Sequence, residues 1–256
     1  MSLATYNYKR AYVWELPVRL FHWVTAVSIP VLAITGLIIA NPPAIDRNVE
    51  ATNTYLFGIV RAVHFITAYI FMAFLFFRSY WSFFGNKFAS WRTFFPYTKK
   101  GLKNMIYVAK VDVLLQKDKE HKLSNISIGH NYLAAFTYFI MYNLFLFQIV
   151  TGFALMSDTA SWFLPQMFGF LKSWFGGDIG LRYWHHLFTW IFIGFAIIHV
   201  YLVLYHDYIE ARGEASAMIS GYKFVRSERI KETEEEIIEK AAGQMWDGNG
   251  EEVNNS

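Results

Sequence analysis

His185 and His199 stand fourteen residues apart in an apolar stretch, Leu181 to Tyr205, that also holds His186. An ionisable side chain in such a stretch needs a function to keep it there, and metal ligation is the use imidazole serves best. At 100° per residue, fourteen steps return a helix to within about 40° of the same face, and a rise of about 1.5 Å per residue sets the two rings roughly 21 Å apart. One helix face therefore offers single ligands to two stacked sites.

Each site needs a second ligand from another helix, and the composition indicates the solvent those helices meet. Of 256 residues, 55% are hydrophobic and 20% aromatic, more apolar than an ordinary soluble domain. Four stretches approach the twenty residues that span about 30 Å of hydrocarbon: Pro17 to Ala40, Tyr55 to Phe77, His130 to Met156 and Leu181 to Tyr205. The first is too long in its apolar core for a removable signal peptide, and no small-residue cleavage site follows it. The expected fold is an all-α integral membrane four-helix bundle over residues 1–225, followed by a charged cytoplasmic tail over 226–256. The chain contains no cysteine, which excludes iron–sulfur ligation, covalent haem attachment, thiol catalysis and disulfides. The net charge of +3 gives no reason to expect a nucleic-acid partner.

Charge is unevenly divided between the loops. Residues 81–127 carry nine lysines and arginines, whereas 41–54 and 157–180 carry only Arg47 and Lys172. By the positive-inside rule the basic loop and both termini are cytoplasmic, and the other two loops face outward. Within the basic loop, Leu102, Ile106, Ala109 and Val113 recur at helical spacing among lysines, as in a helix lying on a membrane surface or in a solvated linker.

Depth then sorts the histidines. His22 and His199 each lie eighteen residues from the outer ends of their helices, Ala40 and Leu181, so both sit roughly 27 Å below the outer surface and can share one metal. His64 and His185 form a looser match nearer the outer face. His186 is rotated about 100° from His185 and is the weaker ligand candidate. His206 stands at a helix end, His121 among charges, and His130 where the third helix opens. Zinc and copper sites gather three or four ligands, whereas each pair here offers two opposed nitrogens, the axial set of a low-spin haem. Two b-type haems stacked across the membrane are expected. Thr35-Gly36 and Thr151-Gly152 would let a flat macrocycle approach the backbone, although small residues also serve helix packing.

Four stretches resemble the b-type cytochrome subunit of membrane-bound nickel–iron hydrogenases: PVRLFHW (17–23), RSYWSFFGNKFA (78–89), LRYWHHLFTW (181–190) and HVYLVLYHDYIEARGEASAMISGYK (199–223). The first is shared with formate dehydrogenase membrane subunits and bacterial cytochrome b561 proteins; the second and last are like hydrogenase subunits in particular. The resemblance implies that His22, His64, His185 and His199 are the axial haem ligands. It further implies an iron–sulfur small subunit and a large subunit on the outer face of the cytoplasmic membrane, with electrons passing from the small subunit to the His64–His185 site, on to the His22–His199 site, and then to menaquinone or ubiquinone. Asn131, in GHNYLAA (129–135), matches an asparagine placed at the quinone in related formate dehydrogenase subunits. The glutamine that often follows three residues later is Ala134 here, and asparagine also suits a helix cap. Arg61 and Arg182, each one turn from a ligand candidate, either pair with haem propionates or snorkel to the headgroups. Rival readings are a formate dehydrogenase membrane subunit, a haem-free proton-coupled transporter and a passive anchor.

Overall fold

The computed structural model describes residues 8–42, 55–91, 103, 105–107, 110, 132–210 and 213–226. Four of its helices are long and apolar enough to cross a membrane. In chain order the elements are β1 (Tyr8–Tyr12), α1 (Leu16–Ala40), α2 (Leu56–Phe84), α3 (Tyr132–Met156), the short α4 (Phe163–Met167) and α5 (Leu171–Trp174), α6 (Gly177–Glu210), α7 (Glu214–Ser220) and β2 (Tyr222–Arg226).

Local chemistry sets the ends. Pro17 sits in the first turn of α1, where its fixed φ and missing N–H do no harm. Asn41 precedes Pro42 and so disfavours continuing the helix. Two of the expected spans prove longer: α2 runs on from Phe77 to Phe84, and α6 reaches from Gly177 to Glu210. The added turn at the start of α6 follows Gly176, whose φ of 78° suits glycine.

The helices are inverted relative to a soluble bundle. Ile34, Ile66 and Ile197 are at least 60% exposed, while Arg78 and Thr151 are almost wholly buried. Apolar surface turned outward and polar groups turned inward is the arrangement lipid demands. At the centre Phe21, Phe71, Leu75, Met141, Phe145 and Phe192 form one cluster. Phe145 stacks on Phe192 with centroids 5.0–5.1 Å from it and from Phe71, which it meets edge-on. Without a hydrophobic drive between helices in lipid, such packing must hold them together, and each aromatic pair adds about 0.5–1.5 kcal/mol beyond its area.

One end of the bundle carries a cap absent from the sequence-based expectation. β1 pairs antiparallel with β2, from Tyr8 opposite Arg226 to Tyr12 opposite Tyr222. Glu15 Oε2 accepts from Trp81 Nε1 at 2.8 Å and from the Asn86 amide at 2.9 Å, and Asn86 Nδ2 donates to the Val13 carbonyl at 3.0 Å. A Cβ on Gly85 would stand 2.7 Å from Trp81 Nε1, so the turn after α2 requires glycine. Arg19 donates to the Ile219 carbonyl, and Trp23 Nε1 to that of Met218 at 3.0 Å. This is the sheet end. The opposite, loop end carries α4 and α5, pinned where Lys172 Nζ lies 2.5 Å from Asp158 and 3.0 Å from Asp178. The hydrogen bond from Lys172 holds the Asp158 carboxyl below its ordinary range. The expected surface helix of the basic loop and the charged tail lie almost entirely outside the described residues.

Candidate metal centres

α1 and α6 run side by side and bring His22 and His199 together toward the sheet end. Their ring centroids are 6.4 Å apart with planes inclined at 59°. Two metal–nitrogen bonds of about 2.0 Å, each extended roughly 1.1 Å to a ring centre, span about 6.2 Å, so one metal fits between these imidazoles. Trp23 stands edge-on to His22 at 5.2 Å and Phe195 stacks on His199 at 5.6 Å, giving the pair an aromatic rim. Nδ1 of His22 is buried and meets no hydrogen-bond partner among the described residues.

The second pair is held differently. His64 of α2 and His185 of α6 line one cavity of about 360 Å³. Thr35 Oγ1 on α1 is 2.8 Å from His64 Nδ1, and Thr151 Oγ1 on α3 is 2.9 Å from His185 Nδ1. The next residue is glycine in both cases. A Cβ on Gly36 would stand 3.3 Å from His64 Cε1, and one on Gly152 3.5 Å from His185 Cε1. Gln148 Nε2 donates to the His185 carbonyl at 3.0 Å, tying α3 to α6 beside the ligand candidate, and its Oε1 is buried without a partner among the described residues. A glycine-relieved, largely apolar slot between helices, with imidazoles on its walls, suits a flat ring system that brings its own metal.

Between the pairs lies the aromatic cluster. Phe192 is seven residues from both His185 and His199, about 10 Å along the helix from each, and Phe71 and Phe145 complete the layer. The same three phenylalanines also form part of the cavity wall.

Of the four histidines singled out in the sequence, His22 and His199 have their rings side by side, and His64 and His185 line one cavity. His186, Arg61 and Arg182 also line the cavity. Asn131, His121 and His130 lie outside the described residues, as does the side chain of His206. Sequence reasoning missed the threonine hydroxyls, having valued Thr35-Gly36 and Thr151-Gly152 for their small size; the repeated Thr-Gly pair was the available signal. It also missed the phenylalanine layer, which in sequence is indistinguishable from lipid-facing phenylalanines. Among the described residues no three histidine or acidic side chains converge as a multi-ligand metal site would require.

A family described as prokaryotic cytochrome b561 matches residues 13–221, which take in all four long helices and stop just short of β1 and β2. The chain belongs to the prokaryotic cytochrome b561 family. It is therefore a multi-pass membrane protein of a b-type cytochrome class, in which haem is held by side chains without a covalent link. Similar proteins carry a more specific name. The probable Ni/Fe-hydrogenase B-type cytochrome subunit of Cupriavidus necator is 36% identical over 220 residues, covering 84% of this chain and 87% of that one. Its namesake in Rhizobium leguminosarum is 34% identical, covering 84% and 89%. The probable Ni/Fe-hydrogenase 1 B-type cytochrome subunit of Escherichia coli K12 is 31% identical, covering 87% and 94%.

Proposed function

We propose that this cytochrome b561 family member is the membrane subunit of a nickel–iron hydrogenase complex, binding two b-type haems and carrying electrons between the iron–sulfur small subunit and membrane quinone. The observation that carries the reading is the gathering of four histidines of the long helices into two places, one with imidazole centroids 6.4 Å apart and the other lining a slot cleared by two glycines. The names of the relatives support the hydrogenase as partner.

His22 with His199, and His64 with His185, would supply the axial nitrogens. Haem bound there supplies a one-electron couple. The protein orients the imidazoles, places the layer of Phe71, Phe145 and Phe192 between the pairs, and sets the distance between sites through the rigid rise of α6. Arg61 and Arg182, on the cavity lining, are placed to pair with the carboxylates of a porphyrin. The lysine-rich loop between α2 and α3 supports an orientation with the sheet end and both termini on the cytoplasmic side of the cytoplasmic membrane. On that orientation the loop end receives the hydrogenase small subunit, and quinone, menaquinone or ubiquinone, binds toward the sheet end, with Asn131 as the candidate quinone residue from the sequence.

The test is purification of the complex through a tag on this chain, followed by hydrogen addition. The expected result is co-purified large and small hydrogenase subunits, hydrogen-dependent reduction of b-type haem, and hydrogen-dependent reduction of an added quinone analogue that His22→Ala abolishes. Co-purification with a formate-oxidising subunit, or quinone reduction unaffected by His22→Ala, would overturn the reading.

A further inference from the structure

We infer that Thr35 and Thr151 are positioning residues that lock His64 and His185 in one tautomer, with Nδ1 protonated and Nε2 presented to the metal, and that they thereby lower the reduction potential of that site. The inference rests on the proposed haem ligation and deepens it.

The assignment follows from counting hydrogens. A threonine hydroxyl has one hydrogen and two lone pairs. Thr35 Oγ1 lies 2.6 Å from the Val31 carbonyl oxygen, and Thr151 Oγ1 lies 2.8 Å from that of Phe147. A carbonyl oxygen can only accept, so both hydroxyl hydrogens are spent on the preceding turn of their own helix. What each threonine turns toward imidazole Nδ1 is a lone pair, and the hydrogen in the contacts of 2.8 and 2.9 Å must come from the ring. A neutral imidazole protonated at Nδ1 keeps its only lone pair at Nε2, the one nitrogen then able to ligate iron.

The device is built twice on different helix pairs. Thr35 of α1 reaches His64 of α2, and Thr151 of α3 reaches His185 of α6. In each case the following glycine leaves open the space beside Cε1 of the same ring. Packing alone accounts for small residues but not for two hydroxyls aligned on two Nδ1 atoms. His22 provides the contrast, because its buried Nδ1 has no partner among the described residues.

A hydrogen bond accepted from the distal N–H raises the basicity of a ligating imidazole and so favours the oxidised, more positively charged metal. The site that carries the threonines is pushed to lower potential than it would otherwise have. Under the proposed orientation that is the site nearer the hydrogenase, and electrons then run downhill toward His22 and His199.

The experiment is an optically followed redox titration of the purified complex, with electron paramagnetic resonance of the oxidised state and a haem count. The variants are Thr35→Val, Thr151→Val, the double substitution, and Thr35→Ser with Thr151→Ser. Valine keeps the shape and removes the acceptor. The redox component that His64→Ala abolishes should move to more positive potential in each valine variant and further in the double, while the other component stays in place. Serine should restore the wild-type value and the low-spin signal. If a valine variant loses haem instead, only that component should vanish, consistent with an affinity loss of about 10–100-fold, and serine should again retain both. A double valine variant with two haems at wild-type potentials would overturn the inference, as would serine variants that behave like valine. A wild-type complex with no haem at all would strike the proposed function itself, so the two failures are distinguishable.

Discussion

At the loop end, two imidazole Nδ1 atoms each lie within hydrogen-bond distance of a threonine oxygen on a neighbouring helix, and a glycine beside each threonine makes room for the ring. At the sheet end, two imidazoles have centroids 6.4 Å apart with aromatic neighbours, and one of them has its Nδ1 buried with no partner among the described residues. The same residue type in the same class of site is therefore held in two ways, by directional hydrogen bonds in one and by shape in the other. Hydrogen bonding fixes tautomer and ring orientation and tunes basicity, whereas aromatic packing fixes position only. A chain that must pass electrons in one direction gains from such an inequality, because equal sites would give no gradient.

The comparison breaks most visibly if the two pairs are not independent sites. His64→Ala and His22→Ala should each reduce the haem count from two to one, and redox titration should show that different components remain. Loss of both haems in either variant, with the helices still folded by circular dichroism, would mean the sites are coupled. Next in size are the valine substitutions at Thr35 and Thr151, which should move only the loop-end component.

Smaller effects separate the two threonine clamps from one another. Gly36→Ala brings a Cβ to 3.3 Å from His64, tighter than ordinary contact, while Gly152→Ala brings one to an ordinary 3.5 Å from His185. The first should perturb the low-spin resonance signal of the loop-end component more than the second, and neither should alter the sheet-end signal. Equal effects would imply that the two walls of the cavity yield alike.

At the sheet end, Glu15→Ala removes the acceptor shared by Trp81 and the Asn86 amide. Leaving such donors unsatisfied costs about 1–3 kcal/mol, so thermal unfolding in detergent should occur at lower temperature with the redox spectrum unchanged. The smallest effect belongs to Asp158. Its carboxyl is held below its unfolded value by the hydrogen bond from Lys172, so its contribution is present above the unfolded value and is lost as pH falls through the folded one. The loop end should lose a little stability on acidification below the ordinary aspartate range, and Asp158→Asn should remove that part of the pH dependence, as followed by melting temperature against pH.

Much of this arrangement was legible in the sequence because membranes simplify the code. Apolar runs marked the four spans to within a few residues at most ends, and histidines inside them stood out against lipid-facing leucine and phenylalanine. Depth arithmetic set His22 level with His199, and the structure brings their rings to 6.4 Å although the helix of His199 begins at Gly177, four residues before the end from which the depth was counted. The threonine clamps were not legible. A hydroxyl in a helix usually bonds its own preceding turn, and only the crossing of α1 over α2 and of α3 over α6 shows that Thr35 and Thr151 do this while also facing a ring. The cap was missed for a different reason: RSYWSFFGNKFA was read only as one of two stretches like hydrogenase subunits in particular, yet here Trp81, Gly85, Asn86 and Ala89 build a turn that clasps the strand leading into α1. Pairing between β1 and β2, more than two hundred residues apart in the chain, has no local signature.

The central proposal is that the four histidines form two haem sites of unequal potential. The most direct test is a reduced-minus-oxidised spectrum of the purified complex taken through a full redox titration, with a pyridine haemochrome count on the same sample. Two b-type haems per chain, titrating as two components of which His64→Ala removes the lower, are the expected result. A single haem, or two whose lower component survives His64→Ala and disappears in His22→Ala, would contradict it.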